Sequence, residues 1–219
     1  LRIEFSDEID ISQDVTGFFT VSPEVEMNVS KFGSSVVIDG DFRYGSKYTL
    51  SITEGLRSRW GTKTSRKEVK TIRFSDLPPQ IEFASDGIIL PTSNEQKLQF
   101  FSSNISRVHL ELKRVYNKNL RDFMRYEQMS SLKNRHTEFS ESYTGNVGVI
   151  VLNQTLEIGS EKNKWLLHEI DLKEIIRDEV NGLYLVRLNF NPRDILAGVK
   201  KDIYKYIEEQ GQIYKPVII

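Results

Sequence analysis

The chain has 219 residues, with 30 Lys and Arg against 31 Asp and Glu, so no excess of cations is present to attract nucleic acid or an anionic membrane. Cysteine is absent, which excludes disulfides, zinc–thiolate sites and cysteine nucleophiles. The 38% hydrophobic and 28% charged residues are typical of a globular protein, and no apolar run is long enough to span a bilayer.

The first third of the chain consists of short alternations of apolar and polar residues, separated by turn-forming residues. The alternation at residues 1–5 predicts a half-buried strand. Further alternations lie at residues 25–29, 35–38 and 48–52. Strands this short, with turns about every ten residues, predict a β-sandwich of about seven strands.

Trp60, followed by Gly61, is predicted to close a turn after the strand that begins at residue 47. Its ring could stack on a ligand or pin the loop onto the core, and pinning is the favoured interpretation. Tyr44 and Tyr48 are further aromatic candidates, but they are too scattered in sequence to indicate a binding row.

A basic run between residues 57 and 70 suggests a polyanion site as one hypothesis. Its cations are Arg57, Arg59, Lys63, Arg66, Lys67 and Lys70. Because Glu68 interrupts the run and Glu54 precedes it, a solvated loop leading into a strand is favoured.

Two consecutive prolines, Pro78 and Pro79, interrupt the strand pattern. Each fixes φ and removes a backbone donor, so a sheet cannot continue through them, and the connection stays stiff and extended. The sequence therefore predicts two domains, over residues 1–76 and 77–219.

The second domain resumes with apolar Ile81 and Phe83 and a strand near residues 98–101. The alternation at residues 108–113 points Val108, Leu110 and Leu112 inward, and it predicts that His109 is an exposed strand residue rather than a general base.

Helical spacing of Leu120, Phe123 and Met124 predicts a helical insertion near 118–132. The polar loop beyond it contains His136, Glu138 and Glu141. A metal site is conceivable there, but a Ser- and Glu-rich loop does not hold ligands rigidly, and the solvated loop is favoured.

Two strands are predicted at residues 147–152 and 154–158. Asp171 and Glu174 form a capping-box pattern that predicts a short helix with Leu172, Ile175 and Ile176 on one face. The next alternation predicts a central strand whose inward residues are Tyr184, Val186, Leu188 and Phe190.

Residues 194–210 are predicted to form a second helical insertion, lying outside the sandwich. A last strand follows from residue 212, with Pro216 tolerable only at a sheet edge. The chain starts within a predicted strand, at Leu1, without an initiating methionine, and it is expected to be a fragment of a longer protein.

No pattern in the sequence indicates catalytic, cofactor-binding or metal-binding residues, so no enzyme activity is expected. The glycosylation pattern occurs at Asn28, Asn104 and Asn153, about as often as chance supplies in a chain rich in Asn and Ser.

Three stretches resemble the bacterial alpha-2-macroglobulin family. Residues 3–14 with 42–64 (FRYGSKYTLSITEGLRSRWGTKT) resemble an Ig-like domain near the start of those proteins. Residues 74–91 (FSDLPPQIEFASDGIILP) with 100–125 resemble the start of the macroglobulin-type domain that follows. Residues 165–190 (WLLHEIDLKEIIRDEVNGLYLVRLNF) are similar to a later element of that domain.

This resemblance implies a mainly β fold of two consecutive antiparallel β-sandwich domains, Ig-like and then macroglobulin-type, with short helical insertions. It also implies a periplasmic or cell-envelope protein that traps proteases after they cut a bait segment. In many members a Cys–Gln thioester tethers the protease, and no residue here matches it because cysteine is absent.

The expected function is therefore a non-catalytic structural fragment of a protease-trapping inhibitor. Its expected partners are the remaining domains of the same polypeptide and the parent's target proteases, with membrane contact only through a lipid anchor of the parent. The alternative is a cell-surface β-sandwich module that binds carbohydrate or protein, which a row of exposed coplanar aromatics on one sheet would favour.

Overall fold

The computed structural model describes residues 1–85, 96–121, 123, 148–176, 182–199 and 202–218. The chain forms two compact units, Leu1–Asp76 and Leu77–Ile219, called unit 1 and unit 2 below. The predicted mainly β, antiparallel sandwich class is confirmed. The assignment of unit 1 as an Ig-like domain stays a prediction.

Unit 1 contains six strands, one fewer than the seven expected. They are β1 (Arg2–Glu4), β2 (Phe19–Ser22), β3 (Met27–Phe32), β4 (Ser35–Gly40), β5 (Lys47–Ile52) and β6 (Glu68–Arg73). They form two three-stranded sheets, β1-β4-β3 and β2-β5-β6. Val36 and Ile38 from one sheet meet Phe19 and Leu50 from the other in a single core.

The described part of unit 2 contains seven strands in two sheets. They are β7 (Gln80–Phe83), β8 (Lys97–Ser103), β9 (Arg107–Val115), β10 (Gly148–Glu157), β11 (Trp165–Asp171), β12 (Leu183–Asn189) and β13 (Gln212–Ile218). The sheets have the orders β10-β9-β12-β13 and β11-β8-β7. Their facing side chains form one apolar core.

Strand β12 is central, as predicted, because it pairs with β9 on one side and β13 on the other. Its four predicted inward residues are all buried: Tyr184, Val186, Leu188 and Phe190. Strand β13 lies at the edge of this sheet, so Pro216 interrupts no ladder on its outer side.

Two predicted strands at residues 147–152 and 154–158 are a single strand, β10. The two-strand prediction is wrong because the pairing with β9 continues through Asn153, which lies opposite Glu111, and a β-bulge occurs earlier, between Ile150 and Leu152.

Two α-helices are described in unit 2, α1 (Leu172–Ile175) and α2 (Ile203–Gln210). Helix α1 agrees with the predicted short helix, and Leu172 is fully buried. A 3₁₀ turn at Asn117–Asn119 leads into helical residues at Leu120 and Arg121, where a helix was predicted. Residues 124–132 of that prediction lie outside the described residues.

Helix α2 falls within the predicted helical insertion at 194–210, but it packs against the core of unit 2 instead of standing clear of the sandwich. It begins only at Ile203, where the Asp202 carboxylate accepts bonds from the first-turn N–H groups. Tyr206 and Ile207 pack against the core of unit 2, and the Tyr206 hydroxyl donates to the carbonyl of Pro79 at 2.8 Å. Its apolar face is therefore part of the fold.

Candidate functional site

Trp60 is the most exposed aromatic candidate in unit 1, with 75% of its surface accessible, so the prediction that it pins a loop onto the core is wrong. Ser58 N donates to Thr62 O, and Gly61 N donates to Ser58 O, which makes a tight hairpin. Gly61 closes it at φ +84°. Trp60 sits at the tip of this hairpin and cannot reach the core.

The Arg59 guanidinium lies 5.6 Å from the centre of the Trp60 ring, within cation–π range. The same guanidinium forms an ion pair with Glu8 at 2.7 Å. Arg59 therefore contacts both the Trp60 ring and Glu8, while most of the Trp60 surface stays accessible.

The basic run is a solvated turn region leading into β6, as predicted. Arg57 pairs with Asp10, Arg59 with Glu8, and Arg66 with Glu68. Hydrogen bonds from Ser12 to the Asp10 carboxylate lower the pKa of Asp10, with a smaller contribution from Arg57. Local carboxylates therefore neutralise much of the run, which does not favour the polyanion hypothesis.

The aromatic candidates Tyr44, Tyr48 and Trp60 do not form a row. Tyr48 is buried, and its ring makes edge contacts with Phe42 at 5.1 Å and Phe74 at 5.7 Å. Its hydroxyl accepts a hydrogen bond from Arg43 N at 2.9 Å. A buried Tyr48 removes the middle member of any ligand-stacking platform.

His109 is not simply exposed on β9, contrary to the sequence prediction. Its Nε2 lies 3.1 Å from Asp194 Oδ2, and its Nδ1 lies 2.9 Å from Thr155 Oγ1. The histidine is half-buried because the 3₁₀ turn Pro192–Asp194 folds back against β9. The pattern of β9 alone carries no sign of this distant turn.

Asp194 is the buried centre of the same network, with 1% of the residue accessible. Its Oδ1 receives Arg107 Nε at 2.9 Å, and its Oδ2 receives the N–H of Asn191 at 2.8 Å. Hydroxyl, imidazole and carboxylate follow one another as in a hydrolytic triad. Arg107 already neutralises the carboxylate. These contacts therefore hold the turn Pro192–Asp194 against β9 rather than activate a nucleophile.

A second polar network, which the sequence does not indicate, fastens the start of unit 2. Asn104 Nδ2 donates to Leu77 O at 2.6 Å, Leu77 N donates to Asn163 Oδ1 at 3.0 Å, and Asn163 N donates to Asn104 Oδ1 at 2.6 Å. Both asparagines have positive φ, 51° and 61°, a conformation that Asn tolerates. Asn104 is 1% accessible, so its glycosylation pattern is not open to modification.

The remaining histidines of the chain are His168 and His136. His168 packs against Phe100, and burial lowers its pKa. His136, Glu138 and Glu141 lie outside the described residues. Within the described ranges no group of three or more potential ligands is placed to hold a metal ion.

Comparison with known proteins then defines the family. Residues 82–190 match the family model for the bacterial alpha-2 macroglobulin MG2 domain. This chain carries a bacterial alpha-2-macroglobulin domain. The match lies within unit 2 and includes residues of the second and third stretches that resemble the family.

The alpha-2-macroglobulin of Xylella fastidiosa (strain 9a5c) is 27% identical over 141 residues, which are 63% of this chain and 9% of that protein. The chain therefore spans about a tenth of the length of this curated alpha-2-macroglobulin. None of the helices among the described residues is long and apolar enough to cross a membrane.

Solved alpha-2-macroglobulins share the fold. A Salmonella alpha-2-macroglobulin reacted with methylamine superimposes with a TM-score of 0.62 at 16% identity, over 86% of this chain and 11% of that one. Native Escherichia coli alpha-2-macroglobulin spanning domains MG0-NIE-MG1 gives a TM-score of 0.50 at 17% identity. The superposition covers 99% of this chain and 66% of that one. The second comparison extends the likeness to unit 1.

Proposed function

We propose that this chain is a non-catalytic structural segment of a bacterial protease-trapping protein of the alpha-2-macroglobulin kind. The observation that carries the proposal is the match of residues 82–190 to the MG2 domain. The parent would act in the periplasm or cell envelope, and its partners would be its own further domains and the proteases that it traps.

The polar groups that resemble catalytic machinery support a structural role. Both carboxylate oxygens of Asp194 are occupied by Arg107, His109 and the Asn191 N–H. A catalytic nucleophile and its base must be able to contact a substrate. The groups around Asp194 instead hold the turn Pro192–Asp194 against strand β9. Because the chain has no cysteine, a thioester in the parent would lie elsewhere in the polypeptide.

The alternative, a surface module that binds carbohydrate, loses its main support. It needs an exposed row of aromatics, and burial of Tyr48 removes one of the three candidates. Trp60 and Tyr44 remain exposed, but with Tyr48 buried between them in sequence the three candidates do not form a row.

The proposal is tested on the parent protein. The purified parent is incubated with a trypsin-like protease, and cleavage of a large protein substrate is measured beside cleavage of a small peptide. Trapping would abolish cleavage of the large substrate and leave peptide cleavage intact. A parent that leaves both activities unchanged, or that blocks both as an active-site inhibitor does, would contradict the proposal.

A further inference from the structure

One ring nitrogen of His109 has two neighbours that a single proton cannot satisfy together. Its Nε2 lies 3.1 Å from Oδ2 of Asp194 and 2.8 Å from Nδ2 of Asn191. A carboxylate oxygen accepts a hydrogen bond, whereas an amide nitrogen donates one. A protonated Nε2 therefore suits Asp194 and opposes the Asn191 amide, and a bare Nε2 does the reverse.

The amide of Asn191 is oriented by the turn that follows it. Asn191 and Asp194 form a capping box around the 3₁₀ turn, in which the Asn191 side chain accepts from the Asp194 N–H and the Asp194 carboxylate accepts from the Asn191 N–H. The carbonyl oxygen of the Asn191 amide is therefore engaged within the turn. Its NH₂ group is the part that faces His109.

The contacts of the neighbouring groups decide where the neutral imidazole carries its proton. Nδ1 lies 2.9 Å from the hydroxyl of Thr155, which can donate or accept. Asp194 is already satisfied by Arg107 Nε at 2.9 Å from Oδ1 and by the Asn191 N–H at 2.8 Å from Oδ2. The neutral ring is therefore expected to hold its proton on Nδ1 and to accept the Asn191 amide at Nε2, which is the shorter of the two Nε2 contacts.

The charged side chains that β9, its two neighbouring strands and the turn bring around His109 are of both signs. They are Arg107 and Glu111 on β9, Glu157 on β10 opposite Arg107, Arg187 on β12 opposite Glu111, and Arg193 and Asp194 in the turn. Three of them are cations and three are anions, so the nearest charge decides how the imidazole responds to a proton. That charge is Asp194, which contacts the ring directly and has only 2% of its side chain accessible. A positive charge beside a buried carboxylate is stabilised more than beside an exposed one.

We propose that His109 is a pH-sensitive switch at the turn Pro192–Asp194. Histidine is the side chain that ordinarily changes charge between about pH 5 and about pH 8. A solvent proton that binds Nε2 takes away the acceptor of the Asn191 NH₂ group, and the new Nε2–H donates to Asp194 as a hydrogen-bonded ion pair. Loss of its acceptor releases the Asn191 side chain from the ring.

Backbone hydrogen bonds keep the turn in place while the side chains exchange partners. Ser106 N donates to Asp194 O at 2.8 Å, and Leu196 N donates to Asn104 O at 2.9 Å. Neither bond involves the imidazole, the Asn191 amide or the Asp194 carboxylate. The switch is therefore local, and it changes the partners of side chains without detaching the turn from β9.

The test is a titration of the isotope-labelled 219-residue chain from about pH 8 to about pH 5, followed by NMR. Long-range proton–nitrogen correlations distinguish a protonated ring nitrogen from a bare one. At the start the His109 proton is expected on Nδ1. As the pH falls, Nε2 should become protonated, and the side-chain NH₂ resonances of Asn191 should shift with the same midpoint. The backbone amides of Ser106 and Leu196 should stay protected from hydrogen exchange throughout.

Asn191→Ser tests which group sets the position of the proton. Serine can still cap the turn, but its shorter side chain has no amide to reach Nε2. The proton of the neutral His109 ring should therefore move from Nδ1 to Nε2, where Asp194 accepts it. His168 is the control within the same spectra, because it lies on β11 against Phe100, and its protonation pattern should be the same in both chains.

A His109 proton on Nε2 at about pH 8 in the unmodified chain would overturn the proposal, and so would a ring that stays neutral down to about pH 5. Asn191 resonances that stay constant while the ring titrates would also overturn it, as would Asn191→Ser with the proton still on Nδ1. Loss of protection at Ser106 and Leu196 as His109 becomes charged would show that the whole turn detaches, which contradicts a local switch. The titration of the unmodified chain decides the matter even where the variant fails to fold.

Discussion

At the scale of single residues, Asp194 carries the most concentrated set of polar contacts described in unit 2. Replacing it with alanine leaves the Asn191 N–H and the Arg107 guanidinium without their acceptor at a partly buried site, where 40% of the Arg107 side chain is accessible. We expect Asp194→Ala to lower the free energy of unfolding by about 2 kcal/mol or more. Urea denaturation of the purified chain and of the variant measures this loss of unfolding free energy.

The control for this variant is Glu161→Ala. Glu161 pairs with Lys164 on the surface, where both side chains are more than half accessible. Exposed pairs contribute little, so the change should stay within about 0.5 kcal/mol. Equal losses of unfolding free energy in the two variants would show that the Asp194 network does not stabilise the fold.

His168 makes stability depend on pH. Burial lowers its pKa below the ordinary value of 6.5, so the unfolded chain binds a proton more readily than the folded chain. The stabilisation is therefore complete above pH 6.5 and is lost as the pH falls towards the lowered folded pKa. We expect the unfolding free energy to fall between pH 7 and pH 5.

His168→Gln separates this effect from other titrations, because glutamine does not titrate and can still reach Ser102 Oγ, which lies 2.8 Å from His168 Nε2. The variant should show a flatter profile over the same pH range. Parallel profiles for the variant and the parent sequence would assign the pH dependence to other groups.

The residues that sequence reasoning placed wrongly all depend on distant partners or on turn geometry. His109 is covered by a turn 85 positions away at Asp194, and no local pattern reports such a contact. Trp60 was assigned to the core because aromatics usually are buried, but a hairpin closed by Gly61 holds its second turn residue away from the sheet.

At the scale of secondary-structure elements, a substitution in strand β12 tests which side chains form the core of unit 2. Val186 is fully buried in the centre of the strand, and Val186→Asp would place a charge in the apolar core without a partner. The expected loss is about 3 to 5 kcal/mol of unfolding free energy. Val151→Asp is the matched control on the edge strand β10, where Val151 is 41% accessible, and it should cost about 0.5 kcal/mol or less.

If Val186→Asp melts at the same temperature as the unmodified chain, the inner face of β12 has been assigned wrongly. If both variants lose several kcal/mol of unfolding free energy, Val151 on the edge strand β10 contributes more to the core than its exposure indicates.

Central strands were predictable from sequence because burial of one complete face imposes a regular alternation. Strands β9 and β12 show it, and both were predicted. Strands β2 and β11 were not, because edge strands bury fewer residues and Trp165 and Leu167 of β11 face solvent. The packing of α2 was missed for a related reason: its charged outer face dominates its composition, and only Tyr206 and Ile207 reach the core.

At the scale of the whole molecule, the order of the motifs in the sequence predicts the family, and the match over residues 82–190 confirms it. The structure forms two compact units, Leu1–Asp76 and Leu77–Ile219. The contacts between the loops at residues 5–11, 32–34 and 57–63 of unit 1 could not be predicted from sequence, since backbone hydrogen bonds between segments more than 20 residues apart make them.

We propose that this chain is a scaffold and neither an enzyme nor an inhibitor by itself. Trapping in the proposed parent requires a second conformational state that involves many domains. The purified 219-residue chain is added in about tenfold molar excess to trypsin-like and elastase-like proteases, and cleavage of a large protein and of a small peptide is followed. A scaffold alone should leave both rates unchanged. Loss of protein cleavage with intact peptide cleavage, or stoichiometric loss of both, would contradict it.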